Sequence, residues 1–169
     1  LFFSLLACMC GWILSLPLFP SQDGASHKYY AWVVQHVLAG DSWITKTYDI
    51  RRPIPPYASQ SMILVGLAKK MSLDMADKMF VCLVVLSTAL GMRWCCTRLG
   101  QAGQWISLFS FPLLLSWSLV KGFMNYSLGV GLMLLIYACW MRAAEGRTYW
   151  LPFGILGRGH GIYASPPPC

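Results

Sequence analysis

Charge is what this sequence has least of. Of 169 residues, 11% are charged, where a soluble domain carries about 25%. Only six are acidic: Asp23, Asp41, Asp49, Asp74, Asp77 and Glu145. That scarcity excludes an ordinary water-soluble globule and reads as a multi-pass membrane protein. Runs of basic residues are missing too. The 13 Lys and Arg give a net charge of +7, but they stand singly or in pairs between apolar stretches. Nucleic acid is thereby excluded as a partner, and anionic lipid headgroups or phosphate-bearing substrates take its place. Among the seven cysteines, Cys8, Cys10, Cys82 and Cys139 lie inside apolar runs, where cysteine acts as a small hydrophobe. Cys95 and Cys96 are adjacent and lack the paired spacing of a zinc site, so no residue set reads as a metal centre. No internal repeat is visible, and the chain shows no initiator methionine.

What is present is apolar sequence in long pieces: 57% of residues are hydrophobic and the mean hydropathy is +0.54. Crossing the hydrocarbon core takes about 20 helical residues. Residues 1–19 carry no charge and are expected to form a first span, already begun at Leu1, with more chain upstream. A cleaved signal peptide would need a basic start and a small-residue cleavage site, and neither is there. Residues 79–95, 105–120 and 123–141 are the further expected spans. The run at 57–68 is too short, since twelve helical residues reach about 18 Å and Lys69 and Lys70 close it. It reads as a juxtamembrane helix.

The expected fold is therefore all-α: a polytopic transmembrane helix bundle with juxtamembrane amphipathic helices in a long first outer loop, residues 20–78. One transmembrane region covers 1–153. Residues 154–169, rich in glycine and then proline, form an irregular tail. The short loops around Arg93 and Arg98 and after Arg142 carry the Lys/Arg excess of cytoplasmic loops; the long loop and the turn at Lys121 then lie outside. Within that loop Tyr30, Val33, Val34, Val37 and Leu38 share one helical face, Lys28 and Gln35 share another, and Gly40 is the stop.

The order of features carries a resemblance. An apolar first helix is followed by Asp23, an amphipathic helix, and a basic residue beside a proline step (Arg52, Pro53, Ile54, Pro55, Pro56, Tyr57). A short helix and then Asp77 and Lys78 precede the next span. This resembles the N-terminal region of GT-C-type membrane glycosyltransferases, such as the dolichyl-phosphate-mannose protein mannosyltransferases and the aminoarabinose transferases. The likeness covers roughly residues 1–141. Those families usually have Asp-Glu where this chain has Asp23 and Gly24, and Lys-Pro-Pro-Leu near its Arg52 to Tyr57.

The resemblance implies transfer of a sugar from a polyprenyl-phosphate donor to an acceptor at the outer face of a membrane, here the bacterial cytoplasmic (inner) membrane. Such chemistry needs a carboxylate for the acceptor hydroxyl and cations for the departing phosphate. Asp23 is the candidate carboxylate, with a helix N-cap as its alternative reading. His27 falls one turn later on the same face; it either polarises the acceptor, helps hold a divalent metal ion, or is an ordinary hydrogen-bonded surface group. A divalent metal is the one cofactor the resemblance leaves room for. Arg51 and Arg52 are candidates for the donor phosphate because guanidinium forks match phosphate oxygens; binding of lipid headgroups is the alternative. Lys121, in a second outer polar spot with Asn125, joins them, and both residues should face protein or water. Gly129 and Gly131 are expected to permit close helix contact. His36 receives no role. Two other classes stay open, a multi-pass transporter and a non-catalytic membrane subunit.

Overall fold

The computed structural model describes residues 1–50 and 58–144. Arg51, Arg52, the prolines after them and the expected tail at 154–169 lie outside the described residues. Among the described residues every regular element is helical. Helix α1 is Phe2–Ser15, α2 Gly24–Leu38, α3 Ser59–Leu67 and α4 Leu73–Cys96. The next apolar segment, Gly100–Lys121, is broken into α5 (Gly100–Ile106), a 3-10 turn (Ser107–Ser110), α6 (Phe111–Leu114) and α7 (Trp117–Lys121). Helix α8 is Met124–Ala144. Three segments, Leu73–Cys96, Gly100–Lys121 and Met124–Ala143, are long and apolar enough to cross a membrane. Helix α1 has 14 residues and reaches about 21 Å.

Helix α4 is the axis. Phe80, Val81, Val85 and Ala89 are fully buried, while Leu83, Leu86 and Leu90 on its other side are exposed. In the two neighbouring segments only 28% of the apolar window is buried, so most of their apolar side chains point outward, as lipid-facing helices do.

Two glycines set how α4 meets α8. A Cβ on Gly91 would meet Leu134 Cβ at 2.7 Å, and one on Gly131 would meet Ser87 Cβ and Thr88 N, both at 2.9 Å. Because 87 faces 131 and 91 faces 134, the two helices run parallel. Gly129 has nothing within 4 Å, so the expectation of a contact glycine holds for Gly131 and not for Gly129. Helix α1 runs against α4: its C-terminal carbonyls lie at Lys78, near the start of α4. Its Phe2 ring lies 4.5 Å from the Arg93 guanidinium, near the end of α4. The starts of α2, α4 and α8 thus gather at one end of the bundle; Arg93, Cys95 and Arg142 lie at the other.

Helix α4 begins earlier than the sequence suggested, at Leu73, and takes in Asp77 and Lys78. Ser72 Oγ caps it by accepting from Met75 N at 3.3 Å, and Asp74 sits in the first turn, where a negative charge is favoured. Lys78 is 8% exposed. Its Nζ donates to the carbonyls of Leu14 and Leu16, each at 3.0 Å, filling acceptors that a helix end leaves open. Hydrogen bonds to a charged group contribute about 1.5–3 kcal/mol each, so the lysine stays inside.

Helix α2 ends as expected. Gly40, at φ 74, donates to Val37 O at 3.1 Å, and Asp41 N donates to His36 O at 3.0 Å, the paired bonds of a Schellman cap. Its apolar stripe is divided: Val33 is buried and Val34 packs against the core. Tyr30 and Leu38 are exposed, whereas Gly24, Ala31 and Val33 are buried and His27, Lys28 and Gln35 are half-buried. The polar stripe is thus half-buried, and only the ends of the apolar stripe are exposed.

The glycine contacts give a paired prediction. Gly131→Ala and Gly91→Ala should each destabilise the detergent-solubilised protein, on the overpacking scale of about 1–3 kcal/mol. Gly129→Ala should be neutral or stabilising, since it gains helix propensity in open space. Thermal melting checks this, and equal melting temperatures for all three variants would contradict it.

Candidate functional site

The site is built where the turn between α7 and α8 meets the start of α2. Helix α7 closes with a second Schellman cap: Phe123 N donates to Ser118 O at 2.8 Å and Gly122 N to Leu119 O at 3.1 Å, with Gly122 at φ 96. A Cβ there would meet Asp23 Cβ at 2.7 Å and Asp23 N at 3.0 Å. Gly122 therefore serves twice, as the left-handed residue of the cap and as the gap into which the Asp23 backbone fits. Gln22 N donates to Val120 O at 2.9 Å, and Lys121 Nζ donates to Gln22 Oε1 at 2.6 Å.

His27 closes the contact from one turn up α2, with Nε2 3.0 Å from the Gly122 carbonyl. A carbonyl can only accept, so Nε2 carries the proton, and in the neutral ring Nδ1 keeps the lone pair. Asp23 occupies the N-cap position of α2, yet its side chain makes no capping hydrogen bond. Among the described residues it has no ion-pair partner. The alternative reading of Asp23 as a helix cap thus loses its bond; Asp23 is half-buried, and its backbone carbonyl accepts from His27 N at 3.1 Å.

Of the five residues singled out in the sequence, the structure brings Asp23, His27 and Lys121 together. Arg51 and Arg52 lie outside the described residues. His36, given no role, has Nδ1 2.9 Å from Trp32 O and its ring 4.1 Å from that of Trp32. Asn125 faces protein as expected, its Oδ1 accepting from Ser59 Oγ at 2.7 Å and from Gln60 N at 2.9 Å.

Several neighbours escaped the sequence reading. Lys28 Nζ pairs with Asp74 Oδ1 at 2.7 Å, joining α2 to α4. Asp77, 2% exposed, interacts electrostatically with Lys28 and His27. Gln60 is wholly buried, and among the described residues its amide atoms, Asp77 Oδ1 and Ser21 Oγ have no hydrogen-bond partner. An acid or amide in an apolar helix is the signal that could have found Asp77 and Gln60. Nothing in the spacing links Lys28 to Asp74. Beside that pair an open groove of about 480 Å³ is lined by Tyr29, Trp32 and Leu73. Tyr29 is tied to Tyr48 by a 2.9 Å hydroxyl contact, which raises its pKa and keeps the phenol neutral.

Among the described residues no three His, Cys, Asp or Glu side chains gather to hold a metal ion. Asp23 and His27 supply two donors, fewer than the three or four protein ligands of a zinc site.

Comparison with protein-family profiles, curated proteins and solved structures returned no match. The fold defines the class: a helical chain with three segments long and apolar enough to span a membrane, carrying a polar cluster at one end.

Gly122 supplies the test of this construction. Gly122→Ala meets both backbone strain and the Asp23 contact, so it should lose stability by about 1–3 kcal/mol. Gly40→Ala has a similar φ but open space around it and should lose less. Equal losses in thermal melts would show that the Asp23 contact contributes nothing.

Proposed function

We propose that this chain forms the membrane region of a GT-C-type glycosyltransferase, moving a sugar from a polyprenyl-phosphate donor to an acceptor at the outer face of the bacterial cytoplasmic membrane. The observation that carries the reading is the Asp23 carboxylate, placed at a helix start without capping it and next to His27 and Lys121. In this mechanism Asp23 takes the proton of the acceptor hydroxyl while that oxygen bonds to the sugar's anomeric carbon. The bond from that carbon to the phosphate oxygen breaks, and Lys121, with Arg51 and Arg52, offsets the charge left on the phosphate. His27, fixed by Gly122, presents Nδ1 to the acceptor. The groove beside Tyr29 and Trp32 is an approach for an acceptor arriving from water.

Orientation follows the positive-inside rule. Arg93, Arg98 and Arg142 mark the cytoplasmic end, and the cluster at Asp23 lies outside. Cysteine at position 46 should react with an impermeant thiol reagent in intact cells, and cysteine at position 101 should not. The reverse pattern would overturn the orientation.

The transporter reading has one observation in its favour. The segment Gly100–Lys121 is unwound at Leu115 and Ser116, and interrupted helices mark many transporter sites. The break lies close to Lys121 at the polar end, which fits a surface site better than a midplane one.

Asp23→Asn tests the proposal. Asn caps helices about as well as Asp, and no cap bond is at stake, so the melting temperature should hold. Sugar transfer by the full-length protein in membranes should fall by roughly 100-fold or more, the scale of losing a general base. Near wild-type turnover would sink the assignment.

A further inference from the structure

Helix α1 meets α4 through two cysteines. The two helices run antiparallel, and the bond from Lys78 Nζ to the Leu14 carbonyl at 3.0 Å sets their register. One turn further along α4 is therefore one turn back along α1. That step brings Cys82 to Cys10, and there Cys82 Sγ donates to the Cys10 carbonyl at 3.8 Å. The two thiols are also within hydrogen-bonding reach of each other. A side chain as short as cysteine touches a neighbouring main chain only where two backbones are close, and a disulfide needs that closeness, with Cα atoms about 4.4–6.8 Å apart.

The surroundings decide which chemistry suits the pair. Cys82 is 5% exposed and belongs to the same apolar core as Leu6, Ile13, Val81 and Val85, against which the half-buried Cys10 packs. A soft metal ion held by two thiolates would leave a net negative charge there, which apolar surroundings disfavour. A disulfide carries no charge and asks for no further partner. Cys8, two residues before Cys10, is exposed, so of the two cysteines on α1 only Cys10 faces α4. Its partial exposure gives a small oxidant entry, and the buried Cys82 is placed to resolve the product.

We propose that Cys10 and Cys82 are a redox-sensitive pair, closed by a small uncharged peroxide into a disulfide that staples α1 to α4. The Cys10 sulfur attacks one peroxide oxygen: the S–O bond forms, the O–O bond breaks, and water leaves with the thiol proton. The Cys82 sulfur then attacks the Cys10 sulfur; the S–S bond forms, the S–O bond breaks, and a second water leaves with the Cys82 proton. Both sulfurs are oxidised and the peroxide is reduced. The pair needs nothing from the transferase reading. In the thiol state the polar fastenings of α1 to α4 lie near its ends, at Lys78 and at the contact of Phe2 with Arg93. The staple adds a covalent one between them, on the helix that leads through residues 16–22 to Asp23.

The experiment treats full-length protein in lipid nanodiscs with hydrogen peroxide, alkylates the remaining thiols, and maps tryptic peptides by mass spectrometry without reductant. Fragmentation should place the link between Cys10 and Cys82 and leave Cys8 out of it. The melting temperature should rise by about 5 °C or more and fall back on reduction with dithiothreitol. Cys10→Ser and Cys82→Ala should each abolish both the link and the rise, and Cys8→Ser, at an exposed position, should change neither. Cys10 and Cys82 recovered as alkylated thiols while Cys8 is oxidised would overturn the proposal. So would Cys8 linking to Cys82 as readily as Cys10 does, because the register would then select nothing. A link that forms without moving the melting temperature would overturn the staple.

Discussion

The contact of α4 with α8 fixes what lies above it. In lipid the helices gain nothing by hiding apolar surface from water, so their association depends on close packing. Gly91 and Gly131 let the backbones approach until a single added carbon would collide. That contact admits one register. Carried up the parallel pair, it sets Phe80 level with Met124, both wholly buried, and so sets the height of the Gly122 turn. Two parallel neighbours also need a return path between them. The segment Gly100–Lys121 provides it, and its breaks allow α7 to arrive at Gly122 with the left-handed geometry that receives Asp23.

Polar side chains here find their partners on other helices. On α2, His27 reaches Gly122 and Lys28 reaches Asp74, while Tyr30 and Leu38 remain outside. Lys78 follows the same logic. Its ammonium is held by carbonyls at the open end of α1, so a charge that water would have solvated becomes a fastening between two helices.

Legibility from sequence follows from these facts. The apolar helices announce themselves by composition, α3 by its shortness before Lys69 and Lys70, and the end of α2 by Gly40. The placing of Asp23 and His27 one turn apart at the start of α2 follows from their spacing. Which face of α2 turns inward was not legible, because its neighbours come from distant parts of the chain. Asp77 and Lys78 were assigned to a loop for the same reason, since the carbonyls that satisfy Lys78 come from positions 62 and 64 residues earlier. Gln60 looked like an ordinary residue in a short helix, and its burial depends on α2, α4 and α8 together.

What distinguishes the polar end is an imbalance between structural and chemical use of its groups. An acidic residue at a helix start usually caps it; Asp23 holds the position and leaves its oxygens uncommitted. One turn on, His27 commits Nε2 to Gly122 and leaves Nδ1 open. Lys121 brings a cation to the same turn from the opposite direction along the chain. Under the proposed transfer, Asp23 would take a hydroxyl's proton and the cation would hold the departing phosphate. A structural cap would have needed only the first of these, and would have used it.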